Sequence, residues 1–139
     1  MSNDLARNIA ASPGTLAVVG LSSEPSRDSF TVSQYLQQHG FDIVGVNPNY
    51  REALGETCYP SLDEIPEDVR EGIDAVIVFR RPDAVPQILE DCARLGLPRV
   101  WLQLGVSSPR AVELAESLGI ELVHDQCIRV VHGIYERRL

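Results

Sequence analysis

Five short apolar runs divide this chain, and each is followed by a stretch with helical spacing or turn chemistry. Leu16 to Val19 is continuous and apolar and ends at Gly20, which predicts a buried strand whose last residue lets backbone approach closely. The turn from Leu21 to Ser26 leads to a helix over 29–39, with Val32, Tyr35, Leu36 and His39 on one face and Gly40 closing it. Phe41 to Val46 predicts a second strand ending at Asn47-Pro48. The stretch 49–68 is irregular, apart from Ser61-Leu62-Asp63-Glu64, which has the form of a capping box and starts a short helical turn before Pro66. Ile73 to Phe79 predicts a third strand. Pro82-Asp83 then opens a helix carrying Val85, Ile88, Leu89 and Cys92, with Pro86 tolerated in its first turn. Arg99 to Leu104 is a fourth strand. Ser108 caps a helix with Pro109 at its first position and Ala111, Val112, Ala115 and Leu118 facing inward. Ile120 to Val123 is the fifth strand, and 126–136 a terminal helix.

Strands alternating with helices in this way imply right-handed crossovers. The expected architecture is therefore α/β, a Rossmann-like doubly wound parallel sheet of about five strands in the order 3-2-1-4-5, with helices on both faces. Residues 1–139 read as a single domain, with 1–13 an N-terminal extension. In such sheets a ligand sits beyond the carboxyl ends of the strands, where the strand order reverses.

Composition narrows the chemistry. The 139 residues are 44% hydrophobic, enough for an ordinary core. The first residues lack the basic and apolar regions of a signal peptide, and no run of about 20 apolar residues is present to cross a bilayer. With three unpatterned cysteines, Cys58, Cys92 and Cys127, the expected setting is the reducing cytoplasm. A net charge of −8 disfavours nucleic acid as a partner. All twelve basic residues are Arg, so lysine nucleophiles and the P-loop lysine are excluded, and any bound anion must be gripped by guanidinium groups and backbone.

The strand ends collect Gly20, Ser22, Ser23 and Arg27 after the first strand and Asn47, Pro48, Tyr50 and Arg51 after the second. Arg80, Arg81 and Pro82 follow the third, and Gln103 and Gly105 the fourth. Four arginines at one edge of an acidic protein suggest an anion site. Surface loops also carry arginine for solubility, so charge alone leaves both readings open. A dinucleotide of the NAD type is disfavoured. Ser22 and Pro25 stand where its G-x-G-x-x-G fingerprint needs glycine, and Asn47 where it needs a ribose-binding acid. The loop is no G-x-S-x-G nucleophile elbow either.

The loop GLSSEPSRDS, the stretch from Val46 to Pro66, VFRRPDAVP, VWLQLGV and the terminal HDQC segment occur in one order and spacing over 13–134. In these segments the chain resembles the small stand-alone CoA-binding domain family, which is similar to the CoA-binding domain of the succinyl-CoA synthetase α subunit. The resemblance implies the doubly wound fold and a pocket for the nucleotide end of coenzyme A. It places Gly20, Ser22, Arg27, Asn47, Pro48, Arg80, Pro82, Gln103 and Gly105 around that pocket. The synthetase's phosphohistidine belongs to another domain, so the resemblance implies binding of CoA or acyl-CoA without ligase chemistry. The 3′-phosphate of CoA suits Arg27 or Arg51 where a carboxylate would repel it.

Other residues support less specific readings. His124, Cys127 and His132 lack a fourth strong ligand and read as helix-start and core positions rather than a zinc site, so no metal is expected. Cys127 is either an inert thiol or, if it faces the CoA sulfur, a partner for a mixed disulfide. Trp101 belongs to the core, whereas Tyr50 suits either adenine stacking or the surface. No catalytic set stands out. The rival functions are a small NAD(P)-binding oxidoreductase or an acyl-CoA ligase component that needs a partner chain, and an interaction protein with a vestigial pocket.

Overall fold

A computed structural model of the chain describes residues 2–136. Its elements are α1 (Ser2–Ala10), β1 (Thr15–Val19), α2 (Asp28–Gln38), β2 (Asp42–Val46), β3 (Glu52–Ala53) and β4 (Glu56–Tyr59). There follow α3 (Glu67–Glu71), β5 (Ala75–Val78), α4 (Val85–Arg94), β6 (Arg99–Leu102), α5 (Pro109–Ser117), β7 (Glu121–His124) and α6 (Ile128–Glu136). One sheet runs β3-β4-β2-β1-β5-β6-β7, parallel throughout except for the β3–β4 pair.

The α/β class and the five long strands agree with expectation, but the strand order does not. The third long strand, β5, pairs with β1 on the side away from β2, so the five run 2-1-3-4-5 rather than 3-2-1-4-5. The outer edge of β2 is occupied by β4, through the pairs Gly45↔Cys58 and Val46↔Tyr59. That hairpin lies in the stretch read as irregular. Its two-residue turn is Leu54-Gly55, both with positive φ (56° and 75°), the backbone of a turn that normally advertises itself as Asn-Gly or Asp-Gly. Gln37 Nε2 on α2 donates to Leu54 O at 3.2 Å and props the unusual leucine.

Alternate residues of each strand enter two cores. Leu16, Val18, Ile43, Ile77 and Trp101 pack under α1, α2 and α6, and Ala17, Val19, Val76, Val78 and Leu102 under α4 and α5. Residues 1–13, read as an extension, contain α1, whose Ala6, Ile9 and Ala10 are buried in the first of these cores. Local signals were met unevenly. Ser108 caps α5 by accepting from Ala111 N at 3.1 Å, but its packed residues are Ala111, Leu114, Ala115 and Leu118 rather than Val112. Ser61 forms no side-chain cap, and 62–64 is a single 3-10 turn, so the capping box does not form. Trp101 is fully buried as expected, with Nε1 donating to Gln126 O at 2.8 Å.

Candidate functional site: the cleft at the β1–β5 switch point

Because β2 and β5 flank β1, chain connections leave the β1 edge in opposite directions and open a crevice beyond its carboxyl end. Gly20 forms the floor. Its φ of +91° and its position against β5 both exclude a side chain, since a Cβ there would collide with the Phe79 carbonyl oxygen and crowd Arg80. The loop that follows is held by two hydroxyls. Ser22 N donates to Ser29 Oγ at 3.0 Å, and Glu24 N donates to Ser22 Oγ at 3.0 Å. Both serines are buried, which fixes the start of α2 against the loop. No side chain caps α2, and its first residues, Asp28 and Ser29, line the crevice beside Ser26 and Arg27.

The crevice has a volume of about 1130 Å³, room for a ligand of nucleotide-cofactor size. Four guanidinium side chains line it, from Arg27, Arg80, Arg81 and Arg129, against one carboxylate, Asp28. Two of them make loose ion pairs, Arg27 with Glu24 at 3.5 Å and Arg81 with Asp83 at 3.6 Å, on side chains that are largely exposed. Exposed pairs of this kind contribute little to stability and leave the guanidinium available to a better acceptor. The Arg129 guanidinium lies over the Tyr35 ring, 4.9 Å from its centroid, which holds it at the crevice wall.

Ten of the thirteen residues expected from sequence line this crevice: Gly20, Ser22, Arg27, Asn47, Tyr50, Arg80, Arg81, Pro82, Gln103 and Gly105. Ser23, Pro48 and Arg51 lie outside the lining, and Arg51 leads instead into β3, accepting from Cys58 N through its carbonyl. Two of the ten serve as braces. Asn47 Nδ2 donates to Leu21 O at 3.0 Å while its Oδ1 accepts from Asn49 N at 2.9 Å, which ties the first two loops together. Gln103 is buried, accepts from Ile128 N at 3.0 Å and donates to Cys127 Sγ at 3.4 Å. It thereby caps α6 and sets Cys127 at the crevice wall. Sequence reading missed Arg129, because nothing local to α6 shows that its first turn returns to loops a hundred residues earlier.

The family described as CoA binding domain matches residues 14–133. This chain belongs to that family. The CoA-binding domain is 38% identical over 119 residues to the uncharacterized protein YneT of Bacillus subtilis, covering 86% of this chain and 85% of that one. It is 30% identical over 130 residues to acetate–CoA ligase (ADP-forming) I of Archaeoglobus fulgidus, a match to 86% of this chain but only 18% of the ligase. Among solved structures, a hypothetical protein from Pyrococcus horikoshii OT3 superposes with a TM-score of 0.87 at 32% identity, covering 98% of this chain and 93% of that one.

The remaining candidate residues of this CoA-binding domain go separate ways. His124 Nδ1 lies 3.2 Å from Asp125 Oδ2, Cys127 meets Gln103, and His132 turns toward α2, so the three do not form the zinc set that their spacing allowed. Burial pushes the Cys92 thiol up to about 12 and also raises Cys58, leaving both as inert core sulfurs. Cys127 is only partly buried and lines the crevice. Among the described residues no helix is long and apolar enough to cross a membrane.

Proposed function

We propose that the crevice binds coenzyme A or an acyl-CoA by its nucleotide end, and that the domain serves as a carrier, sensor or partner module without catalysis of its own. One observation carries this reading: four arginines and the uncapped first residues of α2 line one crevice of a chain whose net charge is −8. Phosphate oxygens are the ligand such a set recognises, and each charge-assisted hydrogen bond contributes roughly 1.5–3 kcal/mol. The family match, and a ligase relative whose name includes CoA, support CoA over other phosphates. The partly exposed Cys127 and the exposed Leu104 also line the crevice and suit a pantetheine arm or acyl group. A cytoplasmic location belongs to the same proposal and accords with three unpaired cysteines.

The rival readings, an NAD(P)-binding oxidoreductase or a ligase component awaiting a partner chain, draw less support from the lining, which is suited to holding phosphate rather than to moving protons. Thermal unfolding with CoA, acetyl-CoA, NAD or NADP separates them. A ligand at 100 times its dissociation constant adds about 2.7 kcal/mol of stability. A rise in melting temperature with CoA or acetyl-CoA is expected, and a rise with NAD but not with CoA overturns the proposal.

A further inference from the structure

Away from the crevice, the last turn of α2 lies against the last turn of α6, and three side chains meet there. His39 is the C-cap residue of α2, and His132 and Glu136 stand one turn apart on α6. His39 Nε2 is 3.6 Å from Glu136 Oε2, and His132 Nδ1 is 3.8 Å from the same oxygen. All three donor atoms lie within 4.8 Å of one another. Both nitrogen–oxygen separations exceed the roughly 2.7–3.2 Å of an N–H···O hydrogen bond. They approach the spacing of about 3.3–3.6 Å between ligand atoms that surround one tetrahedral ion at about 2.0–2.2 Å. The groups pair only loosely, beyond hydrogen-bond distance, and are near enough to share a metal.

We infer that His39, His132 and Glu136 form a binding site for a divalent transition metal of the zinc class, which clamps α6 to the end of α2.

The ring orientations favour this chemistry. His39 Nδ1 is 2.8 Å from the Tyr35 carbonyl oxygen, which can only accept, so Nδ1 carries the proton and the Nε2 lone pair faces the cluster. A carbonyl behind a ligating imidazole is the arrangement that fixes ring and tautomer at zinc centres. His132 is buried, and burial, reinforced by His39, holds its imidazole below the ordinary range against the opposing pull of Glu136. The Tyr35 hydroxyl, 2.7 Å from His132 Nδ1, is the group an ion would displace from that nitrogen. Two imidazoles with one carboxylate suit zinc, cobalt, nickel or copper, whereas calcium and magnesium take oxygen donors. Glu136 and His39 are partly exposed, which leaves an entry path. The site is independent of the CoA reading, since none of its three ligands lines the crevice.

The test uses the full chain stripped with a chelator and titrated with Co²⁺, followed by the visible absorption of a low-coordinate cobalt centre, with Zn²⁺ then added to bleach it. One ion per chain is expected, with Mg²⁺ unable to compete. His39→Gln and Glu136→Gln, both at partly exposed positions, should each weaken binding by about tenfold or more, since loss even of a partner behind a ligand costs that much. Cys127→Ser should leave it unchanged. Absence of stoichiometric cobalt or zinc binding, full affinity in both variants, or loss of binding in Cys127→Ser overturns the inference.

Discussion

Gln103 holds Cys127: its Nε2 donates to the Cys127 sulfur across 3.4 Å while its Oε1 accepts from Ile128 N at 3.0 Å. The loop after β6 thus holds a thiol at the crevice wall through a side chain that is itself spent on capping α6. If the pantetheine end of CoA reaches this wall, thiol–disulfide exchange follows. Incubation with CoA disulfide is expected to give one adduct, at Cys127, with one CoA thiol released per adduct formed. Cys58 and Cys92, buried and with raised thiol pKa, should stay unmodified. Intact-mass and peptide mass spectrometry checks both outcomes, and a Cys127→Ser protein that still gains the CoA mass would show that the thiol is misassigned.

Arg80 and Arg129 come from the loop after β5 and from α6 and line one crevice. Arg80→Ala and Arg129→Ala should each weaken CoA binding by roughly tenfold or more, the consequence of losing one charge-assisted bond worth about 1.5–3 kcal/mol. Calorimetric titration measures it. Affinity unchanged in both variants would place the nucleotide elsewhere.

Gly20 and Gly105 both have positive φ, but only Gly20 is crowded, by the carbonyl of Phe79, while a Cβ on Gly105 would meet open space. Gly105→Ala should cost about 1–2 kcal/mol, the penalty of a left-handed residue. Gly20→Ala should cost more than that, because β1 and β5 must separate as well. Urea unfolding of the two variants gives the comparison, and equal losses would remove close packing as the reason for Gly20.

Arg94 on α4 grips Asp63 with two bonds, at 2.6 and 3.1 Å, and pins the 3-10 turn of 62–64 to the helix. The hydrogen bond from Arg94 holds the Asp63 carboxyl below its ordinary value of 3.8. A carboxyl lowered in the folded state binds its proton more readily in the unfolded chain. Its stabilising share is therefore present above pH 3.8 and is lost as the pH falls through the lower folded value. Asp63→Asn should be less stable than the parent at neutral pH, and the difference should shrink in acid. Because the pair is exposed, added salt should also reduce it. Acid-unfolding curves at two ionic strengths test this, and a difference that widens in acid would contradict the pairing.

Much of this protein was determined by local sequence. Short, largely apolar runs ending at Gly20, Asn47, Arg80 and Gly105 suffice to place these long strands, because a strand buried on both faces needs no partner to be recognised. The ends of those runs then fall together at one edge, so ten of the thirteen expected residues line the crevice. Order across the sheet is a different matter. A run such as Ala75–Val78 pairs equally well against the outer edge of β2 or the free edge of β1, and β4 takes the former. That strand was invisible because its turn, Leu54-Gly55, lacks the usual residues, and Gln37 from another helix supports it.

Side-chain roles, too, were decided only in three dimensions. Asn47 and Gln103 carry donors and acceptors that suit a ligand, yet the loops they join consume both ends of each amide. Arg129 joins the crevice, and His132 joins His39 and Glu136, because α6 folds back across α1 and α2, bringing residues some 90 positions apart into contact. Residue type and spacing within a segment set what each element can be. Which groups meet depends on how elements pack to bury their apolar faces, and that is a property of the whole sheet rather than of any stretch of chain.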